Sequence, residues 1–387
     1  MHALRLKLLQ TERLLCRVVS DPENSSAQAC ELVGRVGEHG VFQLARINQI
    51  ASHFAHALRN GVRSFSPDEQ KFHEEVYNRL SSYMIELDQM ASELAAKAIQ
   101  VVALKNAGIA RGIYPCLGCC PMGDIDVLVR KIDFRAAHEV LMNEGYHFEF
   151  RSKLEKATLE HAEKSGGAEY WKILSNGEKL WLELQWRPIA GRWIRPDQEP
   201  SADELIERSI PIPGTEVRLL SPEDNLLQVS LHTAKHTYVR APGFRLHTDV
   251  DRIVRRQKID WELFLFRVKS LQVQTAVYFS LAIPHSIFAT PIPEYVLKEL
   301  QPSPWKKSVI SRWIQRAGLF NPDEEKFSKA GYIVFNSLLY DDFRGFLKGL
   351  LPEPAWLKER YGFESSLLVP VYHFRRLFDL ALRRVST

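Results

Sequence analysis

The stretch Gly123-Asp124-Ile125-Asp126-Val127-Leu128-Val129 constrains this chain more than any other. Its β-branched and leucine residues read as a buried strand, yet two aspartates stand at its mouth. Side chains alternate along a strand, so Asp124 and Asp126 share one face, about 7 Å apart at Cα for a rise of about 3.3–3.4 Å per residue. Ile125, Val127 and Val129 take the opposite face and belong to a core. Two neighbouring carboxylates repel unless a proton or a cation lies between them. A hard divalent ion with oxygen ligands, Mg²⁺ or Mn²⁺, suits such a pair. Solvated acids at a strand end are the plainer reading, so the pair needs support from elsewhere in the chain.

Two further stretches supply it. In KLWLELQW (179–186), alternation puts Trp181, Glu183 and Gln185 on one face and Leu182, Leu184 and Trp186 on the other. Inside a sheet, an acid among large apolar residues is costly without a partner; on an edge strand Glu183 faces water instead. If this strand neighbours the aspartate strand, three carboxylates converge. In VVALKNAG (101–108), an apolar strand runs into Lys105, Asn106 and Gly108, an ending that aims backbone N–H groups and a lysine at phosphate. Gly123 relieves the backbone just ahead of the acid pair.

The texture of the chain divides it in three. Residues 1–99 read as helical; Ser66 caps a helix with Pro67 at its first position and Glu69 completing a capping box. Residues 100–213 alternate short β-branched and aromatic runs with a hairpin signal at Asn176-Gly177 and a helix closed by Gly145. Helices return over 214–387, with starts at Ser221-Pro222 and Asn321-Pro322. The stretch RWIRPDQEPSADE (192–204) reads as a flexible connector. The expected class is α+β, a small mixed-sheet core flanked by N-terminal and C-terminal helical regions.

Composition narrows the function. A chain of 387 residues with 45% apolar and 25% charged residues builds an ordinary globular core. A net charge of +4 from 51 basic and 47 acidic residues argues against a dedicated DNA-coating protein, though not against a local basic patch. Five cysteines, an odd number, do not make a secreted disulfide framework. The N-terminus interleaves charge with leucine, unlike a signal peptide. The longest apolar run, residues 275–289, is broken by Pro284 and His285 and is too short to span a bilayer. The expected compartment is the cytoplasm.

Taken together, LKNAG, PMGDIDVLV, LELQW, LSPEDNLLQVSLHTAKH, LHTDVDRI and Asp260-Trp261 resemble, in this order, the nucleotidyltransferase superfamily of polymerase β-like fold. More narrowly they resemble a group of uncharacterised bacterial nucleotidyltransferases, from about Leu104 to Trp261. The resemblance implies that Asp124, Asp126 and Glu183 are the metal-binding and catalytic carboxylates. It puts the nucleotide phosphates near Lys105, Asn106 and Gly123, with Lys235 or His236 reaching them from a neighbouring helix. It implies transfer of a nucleoside monophosphate from an NTP, ATP among the candidates, to a small-molecule, peptide or protein acceptor, with RNA ends left open. Three positions depart from the pattern: Asn106 stands in place of glycine, Cys120 of arginine and Gln185 of histidine.

Other constellations carry weaker readings. His232 and His236, with His247 and Asp249 downstream, suggest a histidine-aspartate phosphohydrolase; the plainer reading is a helix packed on the core. Cys116, Cys119 and Cys120 invite zinc, but no second cysteine pair completes four ligands, so packing in a loop is preferred. The basic amphipathic tail from Pro370 is expected to close a helical bundle rather than lie on a membrane. The arginine-rich run from Arg252 to Lys258 reads as a solvated helix face or an anion-binding patch.

Overall fold

The structure, a computed structural model, describes residues 6–59, 66–114, 116–152, 158–189, 194–351 and 354–382. Helices α1 (Gln10–Ser20), α2 (Ser26–Val36), α3 (Glu38–Ile47), α4 (Ala51–Arg59) and α5 (Pro67–Ala95) precede the sheet. The α/β part runs β1 (Val101–Leu104), α6 (Lys105–Gly112), β2 (Asp124–Leu128), α7 (Phe134–Asn143), β3 (His147–Phe148), α8 (Leu159–Ser165), β4 (Gly167–Ile173) and β5 (Lys179–Gln185). It ends with α9 (Ala202–Glu207), β6 (Ile210–Pro211) and β7 (Val217–Leu219). Then follow α10 (Pro222–Lys235), α11 (Phe244–Arg256), α12 (Trp261–Ser270), α13 (Gln274–Phe288) and α14 (Glu294–Leu300). The last are α15 (Pro304–Ala317), α16 (Lys329–Leu338), α17 (Phe343–Leu350), α18 (Pro354–Tyr361) and α19 (Val369–Leu382). The class is α+β, as expected.

The strands form one seven-stranded mixed sheet in the order β3-β4-β5-β2-β1-β7-β6. Strand β2 lies at its centre, parallel to β5 and antiparallel to β1. The face bearing Ile125, Val127, Leu182 and Leu184 is fully buried in the main core. Helix α5 supplies much of that core: Leu80, Tyr83, Leu87, Met90 and Leu94 recur at three and four residues and are buried. The other face carries Val102, Leu104 and Leu128, which meet Leu205 and Ile206 of α9 in a separate small cluster. The acids stand on this second face. Because β7 lies beyond Pro213 and pairs with β1, the α/β core runs past the boundary drawn from sequence.

Helix α6 follows β1 without a loop, and its first residue, Lys105, takes a left-handed backbone with φ of 47°. The tight junction needs Gly108, where a Cβ would sit 2.7 Å from the Ala103 carbonyl oxygen. Gly123 is different: its φ is not left-handed and a Cβ there would touch nothing within 4 Å. It relieves no strain, contrary to the sequence reading, and instead leaves open ground beside Asp124. In the β4–β5 hairpin only Gly177, at φ of 83°, uses the left-handed region; Asn176 does not. The turn is wider than two residues, closed by Leu174 N–H to the Glu178 carbonyl at 2.8 Å.

Several helical expectations change. Ser221 caps α10 with Pro222 behind it, as the sequence suggests. At Asn321, however, no helix starts: its φ of 56° is not the extended backbone of a cap, and its N–H is held by Asn48 Oδ1 at 2.9 Å. Ser66 precedes α5 with Pro67 at its start, but its hydroxyl makes no capping bond; the side chain of Glu69 lies outside the described residues. The supposed connector contains a 3₁₀ turn and α9, with Ile194 and Glu199 buried, over the part that is described. Helix α13, the apolar run around Pro284, is a central core helix, and no helix among the described residues is long and apolar enough to cross a membrane. The tail helix α19 packs on α18, but Val371, Phe374 and Phe378 remain exposed, so it does not close a bundle.

The junction at Gly108 yields a test. Replacing Gly108 with alanine must push backbone against backbone, at a cost of about 1–3 kcal/mol in urea unfolding. Gly123→Ala, by contrast, leaves unfolding unchanged within about 0.5 kcal/mol.

Candidate active site

The site follows from strand register. Asp126 is paired with Glu183 across the parallel β2–β5 ladder, and Glu183 in turn faces Glu169 across β4–β5. Asp124 lies one step along the same face of β2. Paired residues on neighbouring strands share a face, so the sheet lines up Asp126, Glu183 and Glu169 in one row with Asp124 beside it. Strand β5 is internal, between β4 and β2, so the edge-strand reading of Glu183 does not hold.

Basic side chains balance these acids. Lys105 Nζ forms a short ion pair with Asp126 and lies 3.5 Å from Glu183 Oε2. The Arg151 guanidinium spans three acids: Asp124 at 2.8 Å, Glu169 at 3.1 Å and Glu183 in a short contact. Gln185, in the position where the resemblance leads one to expect histidine, donates to Asp126 at 2.8 Å and Glu183 at 2.7 Å. A neutral amide ties the two acids together there without adding charge.

The titration directions report how crowded this face is. Asp126 is 3% exposed, and burial pushes its carboxyl well above the usual range, against the pull of Lys105. Burial also raises Glu183, but Lys105, a hydrogen bond from Asp126, Arg151 and Lys235 bring it down to about 2. One carboxyl of the pair therefore keeps its charge while its neighbour favours the proton. Burial works against the Lys105 charge, and Asp126 and Glu183 outweigh it, holding the ammonium above its ordinary range. The four acids exceed the positive charge in contact with them.

Other residues singled out from sequence are placed as follows. Lys235 at the end of α10 reaches the Ile189 carbonyl at 3.3 Å; burial and then Lys105 lower its pKa, and Glu183 and Asp126 oppose them. His232 and His236 pack edge to face with centroids 4.8 Å apart. Burial lowers both, with neighbouring basic groups adding to the effect, His236 to about 4; both are neutral near pH 7. The Asn106 side chain is buried and accepts from Arg245 at 3.1 Å. Cys120 is buried, and its thiol lies 3.7 Å from the Asn106 carbonyl.

His247 is buried on the Tyr238 carbonyl and Asp249 on Tyr114 and Arg245. Among the described residues these two do not join His232 and His236 in a metal-sized group. The arginine run is not a free patch either: Arg252 is buried on Glu23 and over the Tyr114 ring, and Arg255 is paired with Asp251.

Two site residues escaped the sequence reading. Glu169 sits in an aromatic run whose alternation places it on one face with Trp171, but only the β4–β5 register sets that face beside Glu183. Arg151 follows β3 with no local pattern to distinguish it.

The Lys105 contacts carry a stability consequence. Replacing Lys105 with methionine leaves Asp126 and Glu183 with less compensation in a buried setting, and destabilises the fold by about 3–5 kcal/mol in denaturant unfolding.

Comparison with known proteins assigns the chain at the level of family. The profile of a family described as uncharacterised nucleotidyltransferases matches residues 36–289, which takes in helices on both sides of the sheet. No curated protein and no solved structure matches the chain. The match covers more than half of the 387 residues and includes every acid of the row. The chain belongs to this family of uncharacterised nucleotidyltransferases.

Proposed function

We propose that the chain transfers a nucleoside monophosphate from an NTP to a hydroxyl or phosphate acceptor, with release of pyrophosphate, and that Asp124, Asp126 and Glu183 hold the divalent cation this needs. The observation that carries the proposal is the register that sets Asp126 against Glu183, with Asp124 on the same face and a surplus of acid over base. The donor set fits Mg²⁺ or Mn²⁺: hard carboxylate oxygens, one of them on a carboxyl that burial holds toward its protonated form. When bound, the cation neutralises charge at the α-phosphoryl group and its leaving pyrophosphate.

The remaining work belongs to the chain's own side chains. Lys105 and Arg151, which pair with the acids in this structure, exchange those partners for phosphate oxygens when the nucleotide enters. Arg151 takes the part of the arginine that Cys120 does not supply. Gly123 admits phosphate close to the backbone because nothing lies where its side chain would be. Lys235 and the neutral His236 flank the phosphates from α10, one as a cation and the other as a hydrogen-bond partner. Gln185 fixes Asp126 and Glu183 at their present spacing. Positioning and electrostatics account for the rate, since phosphoryl transfer asks little covalent chemistry of a protein.

A nucleotide-binding module without turnover is the second reading, because Lys105 and Arg151 already offset part of the acids' charge without an ion. Incubation with α-labelled NTP and Mg²⁺ across an acceptor panel decides between them. Label in an acceptor with release of pyrophosphate is expected; tight Mg²⁺-NTP binding with neither product sinks the enzyme reading. Asp124→Asn lowers transfer at least about a thousandfold, in line with the several kcal/mol a bound cation contributes. The pH dependence follows from Asp126. Burial raises the Asp126 carboxyl and the cation needs its ionised form, so Mg²⁺ affinity rises with pH. Below the raised pKa of Asp126 it falls about tenfold per unit, measured by calorimetric titration.

A further inference from the structure

Beneath the loop that leads to β2, three side chains from separate elements meet: His56 of α4, His73 of α5 and Cys116. Their ligand atoms all lie within 4.8 Å of one another. His73 Nε2 is 3.8 Å from Cys116 Sγ. A tetrahedral ion with metal–nitrogen bonds of about 2.0–2.1 Å and metal–sulfur bonds of about 2.3 Å separates such a pair by about 3.6 Å.

The surroundings fix His73 in the form a metal requires. The Ser52 hydroxyl donates to the Gly118 carbonyl, so its oxygen is left to accept from His73 Nδ1–H at 2.9 Å. With the proton on Nδ1, the lone pair of Nε2 points at the Cys116 sulfur, an orientation of the kind second partners give to metal-binding imidazoles. Gly118 makes the packing feasible, since a Cβ there would lie 2.6 Å from His73 Cε1.

We propose that His56, His73 and Cys116 form a binding site for a transition-metal ion, zinc foremost, that fastens α4 and α5 to the loop entering β2. Two imidazoles and a thiolate suit zinc and not Mg²⁺. The site is thus chemically separate from the all-oxygen acids of the sheet. Three protein ligands leave a fourth position, and it opens on a cleft of about 590 Å³ whose further walls are Arg59, Glu74, Tyr77 and Asn78. Water or a small ligand completes the set from there. The zinc reading of the cysteine loop, rejected for lack of a second cysteine pair, finds its partners in two histidines from the preceding helices.

The test uses the full chain, stripped with chelator and titrated with Co²⁺ as a coloured stand-in for Zn²⁺. One equivalent is expected, with a thiolate-to-cobalt charge-transfer band and a raised Tm; elemental analysis after Zn²⁺ loading gives the same stoichiometry. Cys116→Ser removes the band. His56→Gln, at a half-buried position that need not disturb the fold, weakens uptake at least about tenfold while the metal-free Tm stays put. Ser52→Ala, through the lost orientation of His73, weakens it about 10–100-fold. Asp124→Asn keeps the band, which separates this site from the one proposed for nucleotide transfer. The proposal is overturned if the wild-type chain takes up no more Co²⁺ than Cys116→Ser, or if the band survives that substitution.

Discussion

The site rests on an imbalance of charge at the centre of a sheet. Asp126, Glu183 and Glu169 occupy one row, and Asp124 the next step, on strands whose opposite face is a dry core. Removing carboxylates from water costs several kcal/mol each unless opposite charge returns it. Lys105 and Arg151 meet that demand in part, two cations against four carboxylates. A fold concerned with stability alone would put leucines in that row, as it does at Leu104 in the same register.

Much of this architecture is legible in the amino-acid order because the strands around the acids obey a simple alternation. Ile125 and Val127 are buried as their positions in β2 require, and the same logic sorts Leu182 and Leu184 from Glu183. What alternation does not contain is which strand lies beside which. Glu169 became meaningful only once β4 was seen against β5, and Arg151 only once the end of β3 came over the acids. His73 belongs to the same class: its helix reads as a plain amphipathic segment, and its partners arrive from elsewhere.

Local cues misled where long-range contacts overruled them. The Ser-Pro start at Ser221 gives a helix because Asp224, whose N–H the Ser221 cap accepts, is also locked by Arg208 and Arg267. The similar Asn-Pro at Asn321 gives a turn, because its backbone is anchored to Asn48 and Pro322 lies against Gly243. Likewise Arg252, with the look of a surface residue in a basic run, pins α11 to Glu23 in the turn between α1 and α2. The helical regions on either side of the sheet are thereby joined by a buried ion pair, in keeping with a family match that crosses both.

The parallel pairing of β2 with β5 has one more consequence. Gln185 and Asp126 touch across 59 positions of chain, and all of β3 and β4 must find their places in between. Closing so long a segment is entropically slow compared with winding a helix. The acid row has no existence in any shorter fragment, and a nascent chain carries no such cluster until β5 has docked on β2. The row of acids is therefore a product of tertiary folding and of no single strand.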